Sequence, residues 1–312
     1  MRLKYIDGLM GFVIGDAMGV PLEFKSRKEL LEQPITKMTG FGTHNQPEGT
    51  WSDDTSMLIA TIDSINEKNK IDYYDIALKF AAFKNHAQYT PNREVFDIGN
   101  TCARAIDNFD ENHDEPTTCG LNDINSNGNG SLMRILPVAY YAIENHLKDF
   151  EVLEIVKKLS SITHAHDISI MGCYIYTRLV MFLLNGKDKY SAYSMTKCVD
   201  YTIFSEEAQS AYERLIKDDI TKYKMKDIKS TGYIVDTLEA CIWVLLNTEN
   251  FKESIIGAIN LGDDTDTIGA LTGALAGIIY GYDYIPEDWK SKIVRKEYLM
   301  DIFEEFSENK YE

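Results

Sequence analysis

Positive charge is what this sequence has least of. Its 312 residues carry 32 Lys and Arg against 49 Asp and Glu, a formal net charge of −17. That balance argues against binding to a nucleic-acid backbone or to an anionic membrane surface. It also makes a bare polyphosphate ligand hard to attract unless cations intervene. Cysteine is sparse too. The five (Cys102, Cys119, Cys173, Cys198 and Cys241) are scattered and form no CxxC pair, so reduced thiols in a cytoplasmic compartment are expected. Long apolar runs are missing. The longest, Ile268 to Tyr280, contains Thr272 and several glycines and is shorter than the ~20 residues of a membrane span. Near the N-terminus, Asp7 and Asp16 interrupt any signal-like stretch. No Ser/Gly/Pro linker or clear repeat divides the chain, and alternating strand patterns are nearly absent. These absences leave one all-α domain over residues 1–312, with about a dozen helices or more.

What is present has helical period. Met57, Leu58, Thr61, Ile62 and Ile65 mark one apolar face; Val152, Ile155, Val156, Leu159 and Ile162 mark a second. Leu238, Cys241, Ile242, Leu245 and Leu246 mark a third. Residues 73–83, 131–141, 168–184 and 204–216 read similarly, and the Asn-rich stretch 122–129 reads as a loop. Gly11, Gly15 and Gly19 recur at four-residue spacing, as do Gly269, Gly273 and Gly277. Glycine costs about 1 kcal/mol against alanine inside a helix. Two such stripes predict two central helices packed closely together.

Acidic residues gather at two helix starts. "GTWSDDTSMLIA" holds Ser52, Asp53 and Asp54; "NLGDDTDTIGALTGALAG" holds Asp263, Asp264, Asp266 and Thr267. Alone, each motif reads as a helix cap with acids complementing the helix dipole. Together, they offer paired carboxylates and hydroxyls without His or Cys. Such hard oxygen donors suit Mg²⁺, Mn²⁺ or Ca²⁺, not zinc. If the clusters face each other, their charges repel unless metal lies between, and two ions ~3.5–4 Å apart would balance them.

Other candidates are weaker alone. In "SNGNGSLMRILP", Gly128, Asn129 and Gly130 can turn backbone N–H groups inward, with a helix beginning near Ser131, a form that binds phosphate without basic side chains. Glu23 follows the first glycine helix. Asp97 in "FDIGNT" lies among apolar residues, where an N-cap or a core hydrogen bond is an even alternative. His164 and His166 in "THAHD" read first as structural, and Asp16 is buried by pattern without a defined role.

Five blocks, "GLMGFVIGDAMGVPLEF", "GTWSDDTSMLIA", "FDIGNT", "GNGSLMRILPVAYY" and "NLGDDTDTIGALTGALAG", run in order through nearly the whole chain. In that order they resemble the ADP-ribosylglycohydrolases. The resemblance implies an all-helical fold with two Mg²⁺ or Mn²⁺ ions in a central cleft. The implied ligands are Ser52, Asp53, Asp54, Asp264, Asp266 and Thr267, with serine where the family often has threonine. It also implies that residues 128–131 wrap the diphosphate of ADP-ribose, with Met133 beside them, and that His164 lies near the ribose. Glu23 is expected to contact ribose or water. Asp97 would address a guanidinium or leaving group, supported by Asn100, with Asp264 as a further catalytic carboxylate. The implied activity is removal of ADP-ribose from protein arginine. Another ADP-ribosyl linkage, such as serine, and a non-catalytic binding or structural relative are the alternatives. The implied partner is a mono-ADP-ribosylated protein or ADP-ribose, and the oligomeric state stays open, a monomer included.

Overall fold

The computed structural model describes residues 4–112 and 115–308. Among these are sixteen α-helices, seven short 3₁₀ turns, and three isolated β-bridges in place of any sheet. The all-α reading therefore holds.

The centre is a pair of antiparallel helices, Tyr5–Gly19 and Thr265–Tyr280, which pack against each other more extensively than any other two elements. The glycine stripes are the contact. A Cβ on Gly15 would run into the Gly269 carbonyl, one on Gly11 into that of Gly273, and one on Gly277 into that of Asp7. Only hydrogen fits at these positions. The close approach fixes the register of the two helices, which puts the C-terminus of the first beside the N-terminus of the second. Thr265 Oγ1 completes the junction by donating to the Gly19 carbonyl, 2.8 Å.

Around this pair lie the helices Asp53–Lys68, Asp167–Leu184 and Ile234–Leu246, each with the apolar face its periodicity predicted turned into the core. Two segments, Tyr5–Leu22 and Asp167–Leu184, have the length and apolarity of a membrane span, yet 89% of each lies buried inside the protein. They are core helices here. Two helices read from the sequence are broken. Residues 131–141 divide into a 3₁₀ turn, Asn129–Arg134, and the helix Leu136–Glu144, which has Pro137 in its first turn. Proline cannot donate to a preceding carbonyl, so the α-helix begins there rather than at Ser131. Residues 204–216 form two short helices, Glu206–Ala211 and Glu213–Ile216, hinged at fully buried Tyr212, whose hydroxyl donates to the Ile168 carbonyl, 2.9 Å.

Candidate active site

Each acidic cluster is delivered by a helix start that other elements hold in place. Trp51, fully buried, donates its indole N–H to the Val294 carbonyl at 2.9 Å and anchors the entry to the Asp53–Lys68 helix. Ser52 caps that helix by accepting the Asp54 N–H, 3.2 Å. Asp16, reaching across from the first glycine helix, then takes the remaining donors. Its carboxylate accepts the Ser52 N–H at 3.0 and 3.1 Å, the Thr55 N–H at 3.1 Å and the Thr55 hydroxyl at 2.6 Å. Burial pushes the Asp16 carboxyl up to about 6, against the pull of these hydrogen bonds. Asp16 thus acts behind the cleft: it fixes the direction in which Asp53 and Asp54 leave the backbone.

The second cluster sits at the start of Thr265–Tyr280. Asp264 donates its backbone N–H to the Ser230 carbonyl, 2.9 Å, and its Oδ2 accepts from Asn129 Nδ2, 2.7 Å. Asn129 is itself tied to Thr237 Oγ1, 2.9 Å. The two clusters meet: Thr267 Oγ1 lies 3.4 Å from Asp54 Oδ1.

Their carboxylates face a cleft of about 400 Å³. Asp53, Asp54, Asp264, Asp266 and Thr267 line one side; Glu23, Asp97 and Asn100 line another; Gly128, Asn129, Gly130, Met133 and His164 complete it. Burial raises the Asp53, Asp54 and Asp266 carboxyls well above the usual range, and their neighbours' negative charge adds to it. Asp264 and Asp97 are raised as well, burial again being the main cause. Carboxyl groups this close in one buried cleft cannot all ionise without a counter-cation. Two of their oxygens, Asp54 Oδ2 and Asp264 Oδ1, are buried and have no hydrogen-bond partner among the described residues. Unpaired buried carboxylate oxygens are costly, and divalent cations are their natural complement. The donor set is all oxygen, so these residues fit hard cations.

Glu23, His44 and Asp97 form a third group, with ligating atoms within 4.8 Å of one another. His44 Nε2 is hydrogen-bonded to Glu23 Oε2. Burial pushes Glu23 up to about 7, His44 pulling it down and Asp97 pushing it further up. The bond to Glu23 raises the His44 imidazole. The sequence motifs single out His164 and His166 and give no signal for His44, which lies in the turn "GFGTHNQPEG" and meets its partner 21 residues away only in the fold.

Other expected residues stand differently. Ser52 and Ser131 do not border the 400 Å³ cleft. Ser52 stands behind Asp53 as the cap described, and Ser131 turns its hydroxyl into the core, 3.0 Å from Ser160 Oγ and 3.3 Å from Cys173 Sγ. The expected inward Asn129 N–H is taken by the Gly232 carbonyl, 3.0 Å, because Gly128 bridges to Tyr233. That loop meets the cleft through its glycines and the Asn129 side chain. His164 is buried, with Nδ1 2.8 Å from Thr163 Oγ1 and Nε2 toward Gly128 and Gly130. Burial, reinforced by buried Arg134, drives its pKa down to about 3, so the ring is neutral. His166 is structural: its Nδ1 caps the following helix at the Ile168 N–H, 3.3 Å.

The sequence of residues 2–312 matches the family model described as ADP-ribosylglycohydrolase. The chain is 31% identical over 305 residues to "ADP-ribosylarginine hydrolase Tri1" of Serratia proteamaculans, covering 97% of this chain and 78% of that protein. It is 33% identical over 295 residues to the "ADP-ribosyl-[dinitrogen reductase] glycohydrolase" of Rhodospirillum rubrum, covering 94% and 91% of the two chains. A solved structure titled "ADP-ribosylglycohydrolase-related protein complex" shares the fold, with a TM-score of 0.81 at 24% identity over 99% of this chain and 98% of that one. With the family model matched over residues 2–312 and curated relatives more than 30% identical over nearly the whole chain, the chain belongs to the ADP-ribosylglycohydrolase family and is an enzyme of that class.

Proposed function

We propose that this enzyme hydrolyses the N-glycosidic bond between ADP-ribose and a protein arginine, and that it does so with two Mg²⁺ or Mn²⁺ ions. The observation that carries the metal reading is the pair of unpartnered buried oxygens, Asp54 Oδ2 and Asp264 Oδ1, on clusters that meet. The proposed ligands are Asp53, Asp54, Asp264, Asp266 and Thr267, all of which line the cleft, while Ser52 stays behind them as the cap that aims Asp53 and Asp54. When bound, the ions supply Lewis acidity toward ribose hydroxyls and a water molecule.

The chain's own residues supply the rest. Asp97 faces the leaving group, where a fixed carboxylate suits a planar cation. Glu23, pushed up to about 7, is matched to proton transfer near neutral pH, and His44 orients it. As the C–N bond to the ribose breaks, the sugar carbon passes through an oxocarbenium-like state. Water adds to that carbon; Glu23 takes the water's proton and passes it to the departing guanidine, which leaves as guanidinium. Asn129 holds Asp264, and the Gly128–Gly130 turn with neutral His164 receives the ADP-ribose. The arginine linkage is favoured by the Glu23–Asp97 pair, by the acidic balance of the chain, and by the named activity of the Serratia relative. One domain over residues 1–312 and a cytoplasmic setting, consistent with five free cysteines, belong to the same proposal.

The test is a linkage panel. Purified enzyme is given ADP-ribosyl-arginine and ADP-ribosyl-serine peptides, and released ADP-ribose is quantified. Faster release from arginine is expected; release from serine alone would overturn the arginine assignment.

A further inference from the structure

Phe24 is out of place among the residues around the cleft. Leu22 and Glu23 before it are buried, whereas Phe24 is 69% exposed at the rim. Its backbone holds it there. At φ 64 it sits in the left-handed region, which a bulky non-glycine residue adopts only under constraint. The constraint is a reciprocal clasp. The Phe24 N–H donates to the Asp263 carbonyl at 2.7 Å, and the Asp263 N–H donates to the Lys25 carbonyl at 2.9 Å. Asp263 is itself left-handed, φ 61. The clasp joins the segment carrying Glu23 to the one carrying Asp264, so the backbone that presents the ring cannot shift without disturbing both carboxylates.

The ring's surroundings specify what it could hold. Its centroid lies 6.0 Å from His44, and that of His44 lies 5.3 Å from Phe96, the neighbour of Asp97. A chain of ring contacts thus leads from Phe24 through His44, the partner of Glu23, to the neighbour of Asp97, and of these three rings Phe24 is the one that borders the cleft. Aromatic faces attract planar cations, and carboxylates take the N–H edges of the same group. We propose that Phe24 is the platform for the substrate's guanidinium, its face on the ring and its edge toward Asp97. This rests on the arginine reading above. It makes Phe24 a specificity residue for the leaving group rather than for ADP-ribose.

The experiment compares wild type, Phe24→Ala and Phe24→Tyr for kcat and KM on an ADP-ribosyl-arginine peptide, with the affinity for free ADP-ribose measured by calorimetry. Phe24→Ala is expected to raise KM about five- to tenfold with kcat little changed, because the contact holds ground and transition states alike. Phe24→Tyr should stay near wild type, and free ADP-ribose, lacking the guanidinium, should bind all variants equally. An unchanged KM in Phe24→Ala would overturn the platform. So would a loss of ADP-ribose affinity in step with KM, which would assign the ring to the nucleotide. A wild type unable to cleave the arginine linkage overturns instead the reading beneath it.

Discussion

A carboxamide at position 97 keeps the shape of the aspartate and removes its charge. Asp97→Asn should lower arginine-linkage cleavage by about two orders of magnitude or more, the range for losing a positioned acid or base. Free ADP-ribose should bind as before, because the role proposed for Asp97 is toward the leaving group. Steady-state rates beside calorimetry separate the two effects, and a wild-type rate would reduce Asp97 to a structural role. A second single-residue test lies away from the cleft. Glu239 is buried beside Arg214, 3.3 Å away, and burial pushes its carboxyl up to about 7 against that cation's pull. A raised carboxyl binds protons in the folded state, so its contribution to stability is full below the ordinary value and is lost as pH rises through about 7. Glu239→Gln should therefore gain in Tm relative to wild type as pH goes from about 5 to about 8. A constant difference across that range would contradict the assignment. Sequence reading found Glu23 and Asp97 because both lie in blocks characteristic of the family. It missed His44 because a histidine in a polar turn shows nothing of a partner that only tertiary folding supplies. It also mistook Asn129 for a backbone donor to substrate, because a bridge to Tyr233 is a long-range event that an Asn/Gly loop does not announce.

The two glycine helices show what periodicity can establish about an element. Spacing alone identified both stripes, since four-residue recurrence marks one helix face whatever packs on it. That the stripes face each other depended on the fold. Alanine normally improves a helix over glycine by about 1 kcal/mol. At Gly15 the sign should reverse, because the new methyl meets the Gly269 backbone, which has no side chain to move. Gly15→Ala is expected to cost about 2–3 kcal/mol in urea denaturation, as overpacked cores do. It should also weaken divalent-cation binding, because the same contact sets Asp264 and Asp266 against Asp54. A stability equal to wild type would mean that the helices can separate freely. Gly99, whose added Cβ would meet nothing within 4 Å, is the control and should tolerate alanine without loss of stability. The broken segments were less legible. Apolar spacing runs smoothly across Pro137 and Tyr212, and the break comes from a missing N–H in one case and a buried tertiary hydrogen bond in the other.

For the molecule as a whole, a net charge of −17 draws cations to the chain, and the cleft of buried carboxyls, which exists only in the folded state, makes the folded protein a better cation binder than the unfolded chain. Mg²⁺ at about a hundredfold excess over its Kd should stabilise the protein by ~2.7 kcal/mol and raise Tm by about 5 °C or more. Asp54→Asn should lose most of that gain. The all-helical class was readable from composition and period, because apolar residues recur at helical spacing and alternating strand patterns are nearly absent. The meeting of residues 52–54 with 264–267, some two hundred positions apart, was legible as a condition, since neither motif alone rises above a helix cap but two all-oxygen clusters facing each other need a cation between them; the family likeness supplied the facing. The decisive measurement is calorimetric titration of metal-stripped enzyme with Mn²⁺ or Mg²⁺, with ADP-ribose release from an ADP-ribosyl-arginine peptide followed in the same samples. Two ions per chain should bind, with release appearing as they bind and disappearing in excess chelator. An enzyme that binds no ion and cleaves the arginine linkage at full rate in chelator would contradict the metal site and the mechanism built on it.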